Sequence, residues 1–229
     1  AGDFVSRADI AAEKIIKDVL MEARPTYGWL GEESGETPGQ DPTRRWIVDP
    51  LDGTKEFIHR RGDFTVNIAY VENGMPTRGV VYAPAKKRMF YTRADGQSIE
   101  ETGPLHPDVI GQQNLIAVSK PDNKALYVVA SKSHRDQATD DYINKYQVRD
   151  MKSAGSSLKF CLIATGEADI YPRVGRTMEW DTAAGHAILT GAGGRVVRFD
   201  NHEDLAYGKD GFANPFFIAY SPDVELKDA

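Results

Sequence analysis

Apolar side chains recur at helical spacing near the start of the chain. The apolar positions within residues 6–23 are Ile10, Ile15, Ile16, Val19 and Leu20. They follow the period of an α-helix, and the run from Ser6 to Asp9 has the form of a capping box at its start. The following segment, residues 24–45, is rich in Gly, Pro, Glu, Asp and Thr, which predicts a long loop of the kind that more often serves function.

Short β-branched and aromatic runs predict antiparallel β-structure in the middle of the chain. A strand at residues 46–48 is expected to end at Asp49, because Pro50 holds that residue extended and cannot donate to a ladder. Residues 64–72 and 77–83 predict a hairpin that turns at Asn73-Gly74, and a second hairpin is expected after residues 88–92, at Asp95-Gly96.

Strands and helices alternate after Pro121. Strands are predicted near 127–130, 147–150, 168–171, 195–199 and 216–220, and helices near 135–145, 156–165 and 182–191. This alternation is typical of an α/β unit. We therefore expect an α/β protein with an α+β half at residues 1–123 and an α/β half at residues 124–229. The connection between them is too short for a flexible linker, so the halves should pack as one unit.

Composition narrows the function classes. With 41% hydrophobic and 27% charged residues the chain is globular, and its net charge of −6 opposes binding to a nucleic-acid polymer. The apolar runs are far shorter than the roughly 20 residues of a membrane-spanning helix. The single cysteine, Cys161, cannot form an internal disulfide and lies between apolar neighbours, which predicts a core position and, by default, a cytoplasmic protein.

The run from Asp49 to Thr54 is the most informative segment. Two carboxylates three residues apart after a strand can converge on a hard cation such as Mg²⁺, and the Leu51 carbonyl could add a ligand. The backbone N–H groups of Gly53 and Thr54 would open the next helical run and point at an anion. An ordinary turn with Asp52 as a helix N-cap is the alternative.

Other acids have ordinary structural explanations when each is taken alone. Glu32 and Glu33 fit a solvated acidic loop, Asp181 fits a helix N-cap, and Asp9 fits a capping box.

Three motifs that occur in a fixed order favour a functional role for these acids over the ordinary structural explanations. Residues 31–34 (GEES), 46–54 (WIVDPLDGT) and 180–185 (WDTAAG) together resemble the magnesium-dependent, lithium-sensitive inositol monophosphatase superfamily. Residues 3–9 (DFVSRAD) resemble its first motif, so the likeness extends from residue 3 to about 220. It implies a layered αβαβα sandwich of the sugar-phosphatase type. Family members have a further helix before the first motif, so the resemblance implies that a front segment is missing from this sequence.

The resemblance also implies roles for individual residues. Two or three Mg²⁺ ions would be held by Glu32, Asp49, the Leu51 carbonyl, Asp52 and Asp181. Thr54, hydrogen-bonded to Asp9, resembles the water-activating pair of the family, and Gly53 and Thr54 would contact the ester phosphate.

Further motifs resemble the 3′(2′),5′-bisphosphate nucleotidases within the superfamily: KEF at 55–57, SKSH at 131–134, GSSLKF at 155–160 and YPR at 171–173. They imply hydrolysis of 3′-phosphoadenosine 5′-phosphate to AMP and phosphate, with Ser156, Lys159 and Arg173 holding the second phosphate. For Lys159 and Arg173 a solvated basic edge is the alternative. His134 is a candidate for contact with the base or ribose, and a surface or core histidine is equally compatible with its sequence.

Two other functions remain open at this stage. One is hydrolysis of another small phosphate monoester, such as inositol 1-phosphate, on the same metal centre. The other is an inactive module that binds metal or nucleotide. The expected partner is a small phosphorylated substrate, and a homodimer is possible.

Overall fold

An eight-stranded sheet forms the first half of the molecule. The computed structural model describes residues 7–103, 105–106, 108–131 and 136–228. The strands are β1 (Tyr27–Gly31), β2 (Gly35–Thr37), β3 (Asp41–Asp52), β4 (Thr65–Glu72), β5 (Met75–Ala83), β6 (Arg88–Thr92), β7 (Ser98–Thr102) and β8 (Gln112–Leu115). They lie in the order β2-β1-β3-β4-β5-β6-β7-β8, and every neighbouring pair is antiparallel except β1 and β3.

A five-stranded sheet forms the second half. Its strands are β9 (Leu126–Ser131), β10 (Val148–Ala154), β11 (Ile170–Arg173), β12 (Arg195–Arg198) and β13 (Phe217–Tyr220), in the order β10-β9-β11-β13-β12. The first three are parallel to one another, whereas β13 runs antiparallel to both of its neighbours. Each sheet is therefore built from one side of the connection near residue 123, and the division of the chain into two domains there stays a prediction.

The helices complete a stack of layers. They are α1 (Arg7–Ala23), α2 (Thr54–Ile58), α3 (Gln137–Ile143), α4 (Leu158–Ala164) and α5 (Glu179–Gly191). Buried residues of both sheets share one core with α4 and α5, which therefore lie between the sheets. The outer face of the second sheet packs on α3. On the first sheet, Leu30 belongs to the shared core, while the adjacent Trp29 faces Lys17 of α1, so α1 covers the outer face.

This arrangement confirms the predicted α/β fold class and its αβαβα layers. The hairpin of β4 and β5, the turn at Asp95-Gly96 and the alternating second half also agree with the sequence. Cys161 is fully buried in the shared core, and burial raises the pKa of its thiol. None of the described helices is both long and apolar enough to span a membrane.

The predicted loop at residues 24–45 is wrong in part. It contains β1, β2 and the start of β3, whose glycines and charged residues obscure the strand pattern. The strand predicted at 46–48 also continues past Pro50. A register shift between Asp49 and Asp52 admits the proline, and pairing resumes where Asp52 faces Thr65. Strand β8 was not predicted at all.

The buried side of α1 also differs from its apolar pattern. Ile10, Ile15 and Val19 are 57%, 66% and 60% exposed, whereas Asp9 and Glu13 are buried. The helix therefore directs two acidic side chains towards the first sheet, where hydroxyl and backbone N–H groups satisfy them.

The contact between α5 and β5 is made through backbone. A Cβ at Gly79 of β5 would lie 2.4 Å from the Ala184 carbonyl oxygen of α5. We expect Gly79→Ala to lower the free energy of unfolding by about 1–3 kcal/mol, because the helix must move away from the sheet. Chemical denaturation measures the effect. Gly62→Ala is the control, since its Cβ would have one close contact, at 3.3 Å; equal stability of both variants would contradict this packing.

Candidate metal centre and adjoining cavity

Three aspartates from two distant segments form an acidic cluster. Asp49 and Asp52 lie at the end of β3, and Asp181 lies in the first turn of α5. One carboxylate oxygen from each lies within 4.8 Å of the others. The structure thus brings together three of the four acids that the motifs predict as metal ligands.

Glu32 completes the cluster from the tip of the β1–β2 hairpin. Its carboxyl group shares a hydrogen bond with that of Asp49. Burial, and then the charges of Asp181 and Asp52, raise the pKa of Glu32 to about 8. Burial and the neighbouring acids also raise the pKa of Asp49 well above its usual range, and burial and Asp52 raise the pKa of Asp181 to about 7. Burial and mutual repulsion therefore favour the protonated forms of Glu32, Asp49 and Asp181 in the absence of a counter-charge.

The donor set fits a hard divalent cation. All the converging atoms are oxygens, which are the ligands that Mg²⁺ and Ca²⁺ prefer. A cation would replace the shared proton and remove the repulsion that raises these pKa values. The carbonyl of Leu51 lies in the same turn, between the two aspartates of β3, and the side chain of Leu51 is buried.

Asp52 is oriented by residues from both halves of the chain. Its Oδ2 accepts hydrogen bonds from the Ser157 amide at 2.7 Å, the Ser157 hydroxyl at 3.0 Å and the Asn67 amide at 3.3 Å. These bonds occupy one oxygen and leave Oδ1 for a ligand. The alternative of Asp52 as a helix N-cap is wrong, because Gly53 occupies that position and no side chain caps the helix.

Asp181 lies at the start of α5, at the third helical position rather than at the predicted N-cap. Its Oδ2 accepts the Met178 N–H at 2.7 Å, which caps α5 from the third helical position rather than from the N-cap itself. The same carboxyl group lies in the acidic cluster, so the cap fixes the side chain that the cluster uses.

Thr54 lies between Asp9 and the acidic turn. Its hydroxyl is 3.1 Å from Asp9 Oδ1 and 3.2 Å from the Leu51 carbonyl oxygen. Asp9 is completely buried beneath it. The Thr54–Asp9 contact that the resemblance implies is therefore present, and the buried position of Asp9 is more than a capping box requires.

A cavity of about 400 Å³ joins this cluster to a basic wall. Glu32, Asp52 and Asp181 are among its lining residues, and Lys159 and Arg173 form the basic wall. Lys159 is only 5% exposed, so the alternative of a solvated basic edge is wrong for this residue. Burial lowers the pKa of Lys159 to about 8, against the opposing effect of Asp52. Its ammonium group donates to the Ser156 carbonyl at 2.7 Å and lies over the Tyr171 ring.

The Ser156 hydroxyl already donates to the protein and is not free to donate to a phosphate. Its hydroxyl lies 2.7 Å from the carbonyl of Asp52 and 3.1 Å from that of Asp63, and its backbone is left-handed with φ of 55°. The single hydroxyl proton is thus engaged within the protein. Gly53 is packed beneath it, since a Cβ there would lie 2.6 Å from the Ser156 hydroxyl oxygen. The phosphate contacts predicted for Ser156 and Gly53 stay predictions.

Sequence reasoning missed several residues at the site. Asn67 and Ser157 orient Asp52, and Arg176, Met178 and Trp180 line the cavity. Asn67 lies on an ordinary strand and has no motif. The location of Trp180 and Met178 beside Asp181 was the one available signal. His134 lies outside the described residues.

Comparison with known proteins agrees with this geometry. The model of the inositol monophosphatase family matches residues 1–219. The 3′(2′),5′-bisphosphate nucleotidase CysQ of Escherichia coli (strain K12) is 43% identical over 93% of this chain and 83% of its own. The inositol-1-monophosphatase of Mesorhizobium japonicum is 35% identical over 89% and 75%.

A solved structure gives the same result for the fold. The crystal structure of CysQ from Bacteroides thetaiotaomicron, a bacterial member of the inositol monophosphatase family, superimposes with a TM-score of 0.82. It is 38% identical and is matched over 95% of this chain and 84% of that one.

The raised pKa values predict a pH-dependent stability in the presence of a chelator. Between its pKa in the unfolded chain and its pKa of about 8 in the fold, Glu32 is more protonated in the folded state. The free energy of unfolding should therefore fall as the pH rises from about 5 to about 8.

Thermal unfolding of the wild type and of Glu32→Gln across that pH range tests this expectation. The variant should lose less stability, because it cannot ionise, and Mg²⁺ should stabilise the wild type more at pH 8 than at pH 6. Glu36→Gln, at an exposed glutamate of β2, is the matched control. Parallel stability curves for all three proteins would contradict the assignment.

Proposed function

The chain belongs to the inositol monophosphatase family, and on that basis we propose that it is a phosphoric monoester hydrolase that cleaves the 3′-phosphate of 3′-phosphoadenosine 5′-phosphate. The products are AMP and phosphate. The observation that carries the proposal is one cavity lined both by acids of the cluster and by the basic side chains of Lys159 and Arg173. Such a cavity suits a substrate with two phosphates, of which only one reacts.

The metal ligands of the proposal are Glu32, Asp49, the Leu51 carbonyl, Asp52 and Asp181. Two or three Mg²⁺ ions are proposed. When bound, they would lower the pKa of a water molecule, polarise the ester phosphate and neutralise charge on the leaving 3′-oxygen. The convergence of these acids and their raised pKa values support a divalent cation here.

Thr54 and Asp9 are proposed to move the proton of the attacking water. Thr54 Oγ1 can accept a hydrogen bond from that water while its own proton points to Asp9 Oδ1, 3.1 Å away. As the water attacks phosphorus, one of its protons passes to Thr54 and the Thr54 proton passes to Asp9, while the bond between phosphorus and the 3′-oxygen breaks and that oxygen takes a proton from solvent. The complete burial of Asp9 holds the acceptor in one orientation. The amides of Gly53 and Thr54 are proposed to contact the phosphate that reacts.

Lys159 and Arg173 are proposed to bind the phosphate that does not react. Both line the cavity, and the desolvated ammonium of Lys159 gains more from an incoming anion than an exposed lysine would. Ser156 is proposed to join them once its hydroxyl turns away from a backbone carbonyl. Remote binding of this kind orients the ester towards the attacking water. His134 stays a weaker candidate for contact with the base or ribose.

A second candidate is hydrolysis of inositol 1-phosphate. The relative from Mesorhizobium japonicum, named an inositol-1-monophosphatase, favours it. Inositol 1-phosphate has one phosphate and leaves the basic wall without a partner, so the bisphosphate is the better fit. A cytoplasmic location and a homodimer stay predictions.

Phosphate release from both substrates, with and without Mg²⁺, tests the proposal. We expect faster turnover of the bisphosphate nucleotide, loss of activity with a chelator and recovery with Mg²⁺. Asp49→Asn should abolish turnover, because it removes a charge from the centre of the cluster. Equal or faster turnover of inositol 1-phosphate would overturn the substrate, and metal-independent turnover would overturn the mechanism.

Lys159→Ala tests the second phosphate subsite. We expect the KM for 3′-phosphoadenosine 5′-phosphate to rise about tenfold or more with a smaller change in kcat, because the lost contact binds ground and transition states alike. With adenosine 3′-phosphate, which lacks the second phosphate, the variant should match the wild type. Lys124→Ala, at an exposed lysine that does not line the cavity, is the control. An equal defect with both substrates would contradict the assignment.

A further inference from the structure

Glu13 is a buried acid for which the proposed chemistry has no use. It lies one helical turn after Asp9 on α1 and is 3% exposed. Its carboxylate accepts two backbone N–H groups, from Glu33 at 2.9 Å and from Ser34 at 2.8 Å. Hydrogen bonds to a charged acceptor are stronger than ordinary ones, so this contact joins α1 firmly to the β1–β2 hairpin.

The segment that Glu13 holds is the hairpin tip with Glu32. The Glu32 amide donates to the Val48 carbonyl at 3.1 Å, so three successive amides, Glu32 to Ser34, have fixed acceptors. The hairpin also leaves room for Glu13: a Cβ at Gly31 would lie 2.7 Å from its carboxylate. The Ser34 hydroxyl, in turn, accepts the Trp29 indole N–H at 2.9 Å.

The fixed backbone opposes a specific force. Asp49, Asp52 and Asp181 lie on rigid elements, whereas Glu32 reaches them from a turn of three residues between paired strands. Glu32 faces three other carboxyl groups, and without the fixed amides of Glu33 and Ser34 its side chain could turn towards water. Two charge-assisted hydrogen bonds to the adjacent amides prevent that movement.

We propose that Glu13 is a positioning residue that fixes the Glu32 carboxylate for cation binding. It does so by holding the amides of Glu33 and Ser34. The inference rests on the proposed role of Glu32 as a metal ligand. One face of α1 would then serve the site twice. Asp9 would accept the proton from Thr54, and Glu13, one turn later, would fix the geometry of the metal centre.

Calorimetric titration with Mg²⁺ alone, without substrate, is the first test. Glu13→Gln keeps the size of the side chain but places an NH₂ group against one of the two backbone donors. We expect the Kd for Mg²⁺ to rise about tenfold, as it commonly does when a residue that orients a metal ligand is changed. At saturating Mg²⁺, kcat should return to within about twofold of the wild type, because the bound cation then holds Glu32 in place. Glu22→Gln makes the same chemical change at an exposed site of α1 and should leave the Kd unchanged.

A double-mutant cycle with Glu32→Gln separates positioning from general structural support. In the Glu32→Gln background, Glu13→Gln should change the Kd for Mg²⁺ by less than about twofold, because its only route to the cation has gone. A full additional effect would overturn the inference. Weaker Mg²⁺ binding by Glu32→Gln with unchanged binding by Glu13→Gln would also overturn it, while the proposed ligand stands. Unchanged binding by Glu32→Gln would instead overturn the ligand itself and this inference with it.

Hydrogen exchange on the wild-type protein provides a test that needs no variant to fold. If the hairpin tip and the cation are coupled through Glu32, saturating Mg²⁺ should slow exchange of the Glu33 and Ser34 amides several-fold. Amides of the exposed strand β8 are the internal reference. Equal exchange at Glu33 and Ser34 with and without Mg²⁺ would overturn the coupling.

Discussion

The repulsion among four converging carboxylates, of which Asp49 is buried, is the constraint on which the site depends. Glu32, Asp49, Asp52 and Asp181 come from a hairpin, a bulged strand and a helix start, and no two of these elements need to lie close together for local reasons. Burial and mutual charge raise the pKa values of three of them. Fixed hydrogen bonds from surrounding residues hold these acids in place: Ser157 and Asn67 donate to Asp52, and Met178 donates to Asp181. Glu13 fixes the turn of Glu32 as an acceptor, for the amides of Glu33 and Ser34.

Positive charge also lines this cavity. Lys159 is buried among the elements that build the acidic cluster, and the charge of Asp52 partly offsets the burial that lowers its pKa. The cavity therefore combines acids that could hold cations with basic groups that could hold an anion.

The sequence predicts the layers of the fold and the acids of the site better than it predicts the residues that hold those acids in position. The second half follows from regular alternation of apolar strands and helices. The acids follow from the resemblance of three motifs to a known family, because most of them have an ordinary structural explanation when taken alone. The β1–β2 hairpin was not predicted, because Gly28, Gly31 and Gly35 interrupt the strand pattern of its residues. The sequence also does not predict which face of α1 is buried, because the buried positions, Asp9 and Glu13, are polar. Asn67 and Ser157 are 90 residues apart and meet only in the fold.

Hydrogen bonds to Asp52 also join the two halves of the molecule. Its Oδ2 is held by Asn67 from the first sheet and by Ser157 from the turn before α4, and Ser156 bonds to its carbonyl. A rotation that separated the two sheets would break these bonds and pull a cluster acid out of place. Displacement of one sheet against the other is therefore coupled to the geometry of the acidic cluster.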